Sequence, residues 1–427
     1  MATASEIAVV AGYRTPFVRA GTAFRRLSAV QLGQFVTTEL LQRSGCDPHL
    51  VDEVIFGNIG QPAEATNIAR VIALRSGVPA ERPAYTVQRN CASGMQAITS
   101  AAERILSRRA HVVVAGGTES MSQIPVLYPL AVNEWLGSWL RARTLAQRLR
   151  VLGGFRLGLL KPRFALEIGL TDAYAGINMG KTAEVLAREF GIRREEQDTY
   201  AYESHRRAVA AREKLSEEIV PVPAANLRER IEEDNGPRAD IALERLARMR
   251  PYFERRWGTV TIGNSCPITD GAGAVLLMHR ERARELGYEP LGYLRGWAYA
   301  GLEPQRMGLG PAYATPAALQ HAKVRMAEIE LIELNEAFAA QVLANLRVFE
   351  RGVKGNGKTG LAPIGPIDRE RLNVNGGAIA LGHPVGASGT RLVVTLLREM
   401  QRRDQSLGLA TLCVGGGQGA ALVFERN

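Results

Sequence analysis

Apolar and polar positions follow two rhythms along this chain, one typical of buried strands and one typical of amphipathic helices. Short apolar runs predict buried strands at 7–12, 54–56, 85–88, 111–115, 272–278, 331–334 and 409–413. Apolar side chains at helical spacing predict helices at 29–44, 91–107, 315–322, 335–341 and 386–402. Because strands alternate with helices, the pattern indicates an α/β layered core with parallel strands.

Two larger features modify this alternation. A strand followed by glycines occurs in each half, at 111–117 and 409–417. This hints at duplication, although two α/β halves of similar length would also give it by chance. The stretch 122–255 is rich in arginine and in helix-forming residues and poor in strands. We interpret it as an insertion out of the first half of the chain.

Part of this insertion, 135–163, is strongly basic and contains no acidic residue. Its apolar side chains form two short stripes that do not share one face. Gly153-Gly154 then breaks the helix. Two interpretations stay open. The segment is either a solvated cover with some core contacts, or an element that docks on a membrane surface or on a partner.

Composition narrows the class of protein. The chain has 427 residues, of which 46% are hydrophobic and 22% charged, the balance of an ordinary soluble globular protein of two or three domains. We see no secretory signal at the N-terminus and no apolar run long enough to span a membrane. The net charge of +10 favours polyanions such as the phosphates of a nucleotide-bearing substrate. Nucleic acid is not expected, because no zinc-finger, RNP-like or basic-zipper pattern occurs.

The cysteines bear on the redox compartment. Cys46, Cys91, Cys266 and Cys413 are scattered, with no close pair. This spacing argues against a disulfide framework and against a zinc site, which would need clustered ligands. We therefore expect a reducing cytoplasm.

Cys91 has a suitable position for thiolate chemistry. It lies in the run Arg89-Asn90-Cys91-Ala92-Ser93-Gly94, between a predicted strand and a predicted helix. A helix N-terminus supplies positive potential and lowers the thiol pKa, and the small residues that follow leave room for a substrate. The alternative is a buried structural cysteine.

His383 and Cys413 add to this signal. His383 lies between Gly382 and Pro384 in a glycine-dense stretch, where backbone can approach a ligand closely and the ring could take the cysteine proton. The alternative is a hydrogen-bonded loop histidine. Cys413 ends a strand before Gly415-Gly416-Gly417, whose N–H groups can hold an oxyanion. A Rossmann phosphate loop is not expected there, because no βαβ unit with its acidic residue follows.

The run 352–359, Gly-Val-Lys-Gly-Asn-Gly-Lys-Thr, matches the letters of a P-loop. A phosphate loop needs a strand before it and a helix after it. Here a helical stretch precedes it, and Pro363, Gly365 and Pro366 follow. We expect a surface loop and no nucleotide hydrolysis.

Taken together, the motifs around Cys91, His383 and Cys413 resemble the thiolase family, and the match runs along nearly the whole chain. Further matching stretches are 114–121, 179–184, 258–261, 270–272 and 335–338. The resemblance implies two similar halves packed as a duplicated five-layered α/β/α/β/α core, with an inserted loop domain over the active site. The implied boundaries are an N-terminal half of 1–121 and 256–284, a loop domain of 122–255 and a C-terminal half of 285–427.

The same resemblance implies the catalytic residues. Cys91 would take the acyl group, and His383 would activate it and contribute to one oxyanion hole. Asn335 would hold a water in that same hole. Cys413 would move a proton to or from the methyl carbon of acetyl-CoA. The backbone N–H groups of Cys91 and Gly415 would form a second oxyanion hole.

Coenzyme A would be a substrate, with no cofactor and no metal required. The resemblance implies that Met179 lines the pantetheine channel and that Arg250 lies against the adenine. Ser265 and Cys266 fall where many thiolases have a serine that contacts pantetheine. Phe338, from a matching motif, belongs to the same CoA-binding set.

Two stretches, 148–164 and 202–206, look like the thiolase subunits of fatty-acid β-oxidation complexes. The residue pair Asn335-Glu336, in contrast, is the one common in ordinary thiolases. The resemblance implies a homodimer or homotetramer, a hydratase/dehydrogenase subunit as a further partner, and peripheral membrane contact through 135–163. The expected reaction is cleavage of a 3-ketoacyl-CoA by CoA through an acyl-cysteine. The alternatives are condensation of two acetyl-CoA by a biosynthetic thiolase, a ketoacyl synthase, and a non-catalytic lipid-binding thiolase-like protein.

Overall fold

The computed structural model describes residues 6–224, 229–353 and 360–426. The β-strands of this part are β1 (Ile7–Arg14), β2 (Val18–Arg19), β3 (Glu53–Gly57), β4 (Ala84–Val87), β5 (Val112–Ser120), β6 (Val126–Leu127), β7 (Arg163–Phe164), β8 (Val222–Pro223), β9 (Arg230–Ile231), β10 (Thr269–His279), β11 (Gly292–Gly301), β12 (Leu331–Leu334), β13 (Leu407–Val414) and β14 (Gln418–Glu425).

The α-helices of the same described part are α1 (Ala29–Ser44), α2 (Ile68–Arg75), α3 (Ser93–Leu106), α4 (Leu130–Arg141), α5 (Leu145–Gly153), α6 (Ala165–Gly169), α7 (Met179–Glu189), α8 (Arg194–Ala210), α9 (Arg212–Ser216), α10 (Leu243–Ala247), α11 (Arg280–Glu285), α12 (Gly310–Ala322), α13 (Ala339–Arg351), α14 (Ala378–Leu381) and α15 (Ser388–Arg402).

Most strands join one large mixed sheet, in the order β12-β13-β14-β11-β1-β10-β5-β3-β4. Among the described strands only β12–β13, β3–β4 and β3–β5 pair in parallel, so the prediction of parallel strands is wrong for most of the sheet. The cause is connectivity, since β13 and β14 are joined by a short turn and such a hairpin is antiparallel. The two halves of the chain meet where Ile7 of β1 pairs with Leu294 of β11.

Separate hydrophobic cores divide the fold into layers. Helices α1 and α2 pack on the N-terminal strands, α3 and α15 lie between the strands of the two halves, and α12 and α13 pack on the C-terminal strands. Strand β3 shows the division, because Val54 and Phe56 enter the outer core while Ile55 enters the central one. The predicted α/β/α/β/α fold is confirmed. The central helices α3 and α15 directly follow the segments that carry Cys91 and His383.

Local details of the central layer differ from the sequence pattern. Helices α3 and α15 each begin two residues later than predicted, at Ser93 and Ser388. The glycines expected after the first-half strand, Gly116 and Gly117, lie inside β5. A side chain at Gly117 would collide with the carbonyl oxygen of Gly386. Glycine therefore lets β5 and the chain before α15 approach each other closely.

The predicted helix 335–341 is wrong over its first four residues, because α13 begins at Ala339. The backbone of this stretch bonds to neighbouring segments instead. The Ala337 carbonyl accepts from the N–H of Cys266 at 3.1 Å, and Asn335 N–H donates to a carbonyl of β13 at 3.0 Å. These bonds hold the stretch out of the helix and join it to segments from the N-terminal and C-terminal halves of the chain.

The inserted segment contains two parts. Ile124–Thr171 forms a compact unit of its own with α4, α5, α6 and the small β6–β7 sheet, whereas 172–255 belongs to the larger unit with the rest of the chain. Helix α5 ends at Gly153, where the sequence predicts a helix break. Across the residues that the structure describes, no helix has the length and apolarity needed to cross a bilayer.

The run 352–359, which resembles a P-loop in its letters, directly follows a helix. Helix α13 ends at Arg351, and Val353 then pairs with Leu361. Residues 354–359 lie outside the described part of the chain. A helix occupies the place where a phosphate loop needs a strand, as the sequence pattern predicts.

Candidate active site

Cys91 lies in a tight turn between β4 and α3. Asn90, just before it, has a left-handed backbone with φ of 42°, which turns the chain out of the strand. The hydroxyl of Ser93 donates to the Asn90 carbonyl at 2.7 Å and accepts from the N–H of Arg89 at 2.9 Å. These bonds close the turn and hold Cys91 half-buried at the entrance to the helix.

The Cys91 thiol is harder to ionise than a free cysteine. Burial raises its pKa, the backbone N–H groups of Gly415 and of Cys91 itself oppose the rise by bonding to the sulfur, and the nearby carboxyl of Glu119 adds to it. The expected lowering of the pKa by the helix N-terminus is therefore wrong in sign, because desolvation outweighs the favourable dipoles. The resting thiol is protonated at neutral pH, so the chemistry requires a base.

Two more thiols lie near Cys91. Burial raises the pKa of Cys413 well above its usual range, and the neighbouring thiols of Cys91 and Cys266 add to the rise. Burial and the nearby Cys91 raise the pKa of Cys266 to about 12. The fold thus brings together three cysteines that lie far apart in the sequence. Neutral thiols of this kind can donate a proton to a strongly basic carbon.

His383 is buried in the loop between α14 and α15, and Ser388 holds its ring. The Nδ1 atom of His383 lies 2.6 Å from the Oγ of Ser388, and the same hydroxyl donates to the Pro384 carbonyl at 3.1 Å. Since a hydroxyl has a single proton to donate, it accepts from Nδ1–H and leaves the lone pair on Nε2. Burial, with the charge of Arg391, lowers the pKa of His383 to about 3. The ring is neutral at physiological pH and can accept a proton.

The loop that carries His383 packs against the first turn of α3. A Cβ at Gly389 would lie 2.6 Å from the backbone nitrogen of Met95, and a Cβ at Gly94 would lie 3.2 Å from the carbonyl oxygen of Gly386. Glycine is needed at such distances. The histidine loop and the chain that follows Cys91 are therefore in backbone contact, which a cysteine–histidine pair requires.

Glu119, at the end of β5, ties the histidine loop to the N-terminal half. Its buried carboxylate accepts from the N–H groups of Ile59, Gly60 and Gly386 and from the amide of Asn58, at 2.9 to 3.1 Å. Burial raises the pKa of Glu119 to about 7, although these N–H groups oppose the rise. Glu119 is thus a clamp between the loops that approach the site from both halves.

Asn335 is fully buried at the end of β12, and neither polar atom of its side chain has a hydrogen-bond partner within the described ranges. The next residue, Glu336, is fully engaged. It accepts from Tyr200 at 2.9 Å, from Ser204 at 2.6 Å and from Asn373 at 2.9 Å. Buried polar groups rarely stay without partners, so the amide of Asn335 fits a water or a substrate group in the site.

Gly415 begins the turn between β13 and β14. Its N–H and the N–H of Cys91 itself lie near enough to the Cys91 sulfur to oppose the rise of the thiol pKa. A Cβ at Gly415 would lie 3.3 Å from the sulfur of Met179, so the turn also borders the first residue of α7. Two N–H groups at one sulfur can stabilise negative charge on the oxygen of an acyl group bonded there.

The residues assigned to CoA binding fall in two places. Met179 and Phe338 share one apolar cluster with Cys413, and Ser265 pairs with Phe338 through the backbone. Arg250 is exposed in the loop after α10. The structure therefore brings most of the predicted set beside the thiols, and Cys266 lies among the thiols themselves.

Asn90, Ser388 and Glu119 shape the site but were not singled out from the sequence. A signal existed for Asn90, because asparagine adopts left-handed angles more readily than most residues and here it precedes the cysteine. Ser388 lies in the glycine-dense stretch, yet no spacing shows that its hydroxyl reaches the imidazole. Glu119 appeared only as one letter of a family motif.

Comparison with known sequences agrees with this geometry. The thiolase N-terminal domain profile matches residues 7–281, and the thiolase C-terminal domain profile matches residues 288–426. A 3-ketoacyl-CoA thiolase of Pectobacterium carotovorum subsp. carotovorum (strain PC1) is 45% identical over 425 residues, which cover 98% of this chain and 96% of that protein. A 3-ketoacyl-CoA thiolase of Colwellia psychrerythraea is 42% identical over 429 residues, covering 100% and 98%.

Solved structures show the same fold. Human mitochondrial 3-ketoacyl-CoA thiolase in complex with CoA has a TM-score of 0.86 and 34% identity, covering 100% of this chain and 99% of that one. Bacillus anthracis acetyl-CoA acetyltransferase has a TM-score of 0.86 and 37% identity, covering 99% of each chain. With both domain profiles matched in order and relatives aligned over nearly the full length, the chain belongs to the thiolase family.

Proposed function

We propose that this chain cleaves 3-ketoacyl-CoA with CoA, giving acetyl-CoA and a shortened acyl-CoA. One observation carries the proposal: the turn at Gly415 is bonded to the Cys91 turn through Asn90 at 2.7 Å, and the N–H groups of Gly415 and Cys91 and the thiol of Cys413 lie near enough to the Cys91 sulfur to act on its charge. This arrangement suits an acyl-cysteine intermediate and a proton donor for a carbon leaving group. The similarity to 3-ketoacyl-CoA thiolases of Pectobacterium and Colwellia supports the substrate class.

In the first half-reaction, Nε2 of His383 takes the Cys91 proton and the thiolate attacks the C3 carbonyl carbon. The N–H groups of Cys91 and Gly415 stabilise the oxyanion that forms. The C2–C3 bond then breaks, and its electron pair leaves with acetyl-CoA as an enolate. Cys413 protonates the enolate carbon, while the amide of Asn335 holds a water near the enolate oxygen. The acyl group stays on Cys91 as a thioester.

The second half-reaction uses the same groups in the opposite sense. The Cys413 thiolate takes the proton of the incoming CoA thiol, and the CoA sulfur attacks the thioester carbon. The oxyanion forms again between the same N–H groups. Cys91 leaves as a thiolate and regains its proton from His383. Water must stay out during this interval, because it would hydrolyse the acyl-enzyme.

For CoA itself, we infer that the cluster beside the thiols receives the pantetheine arm. Met179 and Phe338 supply apolar surface there. The hydroxyl of Ser265 donates to a backbone carbonyl at 2.6 Å, which leaves its oxygen free to accept from a pantetheine amide. Cys266 lies next in the chain, and Arg250 would contact the adenine. The human mitochondrial 3-ketoacyl-CoA thiolase that was solved with CoA supports CoA as the ligand.

The reverse reaction, condensation of two acetyl-CoA, is the second candidate. The fold similarity to Bacillus anthracis acetyl-CoA acetyltransferase favours it, and the same residues would serve both directions. Kinetics against short and long 3-ketoacyl-CoA separate the two. A preference for acetoacetyl-CoA over longer chains would assign the condensing role.

We further infer that Ile124–Thr171 docks on anionic membranes. Most of the exposed large apolar side chains of the described chain lie in this unit, and its stretch 135–163 is basic without acidic residues. Exposed apolar and cationic groups together suit the surface of an anionic bilayer. A homodimer or homotetramer and a hydratase/dehydrogenase subunit remain proposals that rest on the family resemblance, and the localisation is then cytoplasmic with a membrane-associated fraction.

Mass spectrometry tests the central step. The protein is exposed to a 3-ketoacyl-CoA without free CoA, and the peptide that contains Cys91 is expected to gain the mass of the acyl group. Cys91→Ala should lose both this adduct and thiolysis. Wild type without thiolysis on any chain length would point to the lipid-binding alternative.

A further inference from the structure

We propose that Asn90 is a positioning residue for the oxyanion hole, because it holds the carbonyl of Gly415 and so restricts the backbone of the glycine whose N–H lies near the Cys91 sulfur. The inference rests on the proposed function, since it concerns the step in which charge develops on the acyl oxygen.

Asn90 and Cys91 are neighbours that hold opposite ends of one glycine. The side-chain Nδ2 of Asn90 donates to the Gly415 carbonyl at 2.7 Å, across a sequence separation of 325 residues. The N–H of the same Gly415 lies near the Cys91 sulfur and opposes the rise of its thiol pKa. The backbone carbonyl and the backbone N–H of Gly415 therefore both face the turn that carries Cys91.

The glycine turn needs such a tether. Gly416 and Gly417 have φ of 89° and 79°, and three glycines in a row have many accessible conformations. At the far end, the N–H of Leu302 donates to the Gly417 carbonyl at 2.8 Å. At the near end, the amide of Asn90 is the bond that holds the Gly415 carbonyl. Without it the φ and ψ angles of Gly415 would be less restricted, and the N–H of this residue would be held less firmly near Cys91.

The neighbour of Asn90 makes a separate attachment to the same half of the protein. Arg89 donates to Gln418 at 2.9 Å and lies over the ring of Tyr299, 4.2 Å from its centroid. The nucleophile turn therefore stays docked on the C-terminal half when the Asn90 amide is removed. The effect of such a change should fall on the orientation of Gly415 and leave the assembly of the two halves intact.

The backbone of Asn90 guides the choice of variants. Its φ of 42° is tolerated best by glycine, asparagine and aspartate. Asn90→Gly keeps the turn and removes the side chain. Asn90→Asp keeps the turn and the size but replaces the donor by a carboxylate that repels a carbonyl. Both variants should fold, and thermal unfolding checks this. Asp404→Gly, at an exposed left-handed position with φ of 53°, is the matched control.

The rates of acylation and of alkylation at Cys91 together test whether Asn90 positions the oxyanion hole. Formation of the acyl-enzyme from acetyl-CoA needs the oxyanion hole, whereas alkylation by iodoacetamide needs only the thiolate. We expect both Asn90 variants to lose roughly tenfold to a hundredfold in acylation rate. We expect the alkylation rate of Asn90→Gly per Cys91 thiolate, obtained from its pH profile so that any change in the thiol pKa is removed, to match wild type. For Asn90→Asp, the pH profile of alkylation corrects for the added charge. Asp404→Gly should match wild type in both rates.

The outcomes are distinct. Acylation within about twofold of wild type in both variants would overturn the inference, and so would a parallel loss of acylation and alkylation, which would place Asn90 at the thiol instead. If Cys91→Ala still cleaves 3-ketoacyl-CoA at the wild-type rate, the proposed function fails whatever the Asn90 variants do. Loss of activity in Cys91→Ala with normal acylation in both Asn90 variants refutes only the role of Asn90.

Discussion

The Oγ of Ser388 lies 2.6 Å from Nδ1 of His383 and donates its own proton to the Pro384 carbonyl. The serine therefore accepts from Nδ1–H and directs the lone pair of the ring to Nε2. A buried imidazole without this contact could adopt either tautomer and could rotate in its pocket. Ser388 thus connects the start of α15 to the proton transfer that begins the reaction.

Replacement of this serine should impair the base but not the substrate site. Ser388→Ala is expected to lower kcat by roughly tenfold to a hundredfold with little change in KM for CoA, because the ring loses its orientation. Steady-state kinetics at several pH values measure this. Ser76→Ala is the control, since it removes a buried hydroxyl without a partner among the described residues. An unchanged kcat in Ser388→Ala would show that packing alone holds the ring.

The raised pKa of Cys91 predicts slow alkylation at neutral pH. Burial holds this pKa above its ordinary value, so the thiolate fraction is small below it and grows as the pH rises. The rate of iodoacetamide reaction at Cys91, followed by peptide mass spectrometry, should increase with pH to a midpoint above the roughly 8.5 of a free thiol. Cys46, which is remote from the site, is mapped in parallel. A midpoint below that of a free thiol would contradict the dominance of burial.

Much of this site could be predicted from the sequence because its parts are local. The apolar run Val54-Ile55-Phe56 predicts the strand, and the glycines around His383 predict the loop. Asn335 was placed on a helix because spacing alone does not reveal that its N–H bonds to a neighbouring strand. The sign of the Cys91 pKa was wrong for a similar reason. A helix N-terminus is visible in the sequence, whereas the burial that outweighs it depends on both halves of the chain.

Contacts across long separations account for the rest. The convergence of Cys266 with Cys91 and Cys413, and the clamp from Asn90 to Gly415, join segments whose order in the chain carries no mark of their meeting. The antiparallel pairing of most strands likewise follows from how the halves connect. Sequence motifs identify the residues that react. The residues that orient them can be recognised only in the folded structure.

Cys413 should be essential for carbon protonation but only assist acylation by acetyl-CoA, because the sulfur of CoA can leave as a thiolate whereas a carbon leaving group needs a proton. Cys413→Ala is expected to slow exchange of the acetyl-CoA methyl protons with deuterated water by about 10²-fold to 10⁴-fold. Formation of the acetyl-Cys91 thioester from acetyl-CoA should persist. Mass spectrometry of the intact enzyme follows acetylation, and NMR follows the exchange. Cys266→Ala is the matched control from the same group of thiols, and equal exchange loss in both variants would show that Cys413 holds no special role.

A buried ion cluster around Arg14 should contribute to stability. Arg14 is fully buried and pairs with Glu218 at 2.5 Å and with Asp234 at 2.6 Å. Arg14→Met would leave two buried carboxylates without their cation, so we expect a loss of about 3–5 kcal/mol in the free energy of unfolding. Urea titration measures it. Arg25→Met, at an exposed arginine, should stay within about 0.5 kcal/mol of wild type. A loss below about 1 kcal/mol in Arg14→Met would mean that water reaches the carboxylates.

The basic unit offers a test of membrane docking. In the compact unit Ile124–Thr171, Trp135 stacks on Trp139 with ring centroids 6.2 Å apart, while Leu140 stays 82% exposed. The indole N–H of Trp135 donates to the carbonyl of Val151 in α5 at 2.8 Å, which joins α4 to α5 and leaves leucines and arginines on the surface of the hairpin, the combination that enters a headgroup layer. Replacement of Arg148, Arg150 and Arg156 by glutamate should reduce co-sedimentation with phosphatidylserine vesicles by an amount that shrinks at high salt.

The same charge change at three exposed arginines of the larger unit, Arg25, Arg26 and Arg75, should have a smaller effect. Equal losses in the two triple variants would assign the binding to net charge alone, and wild type that stays in the supernatant would leave the hairpin as a cover or as a docking site for a hydratase/dehydrogenase subunit.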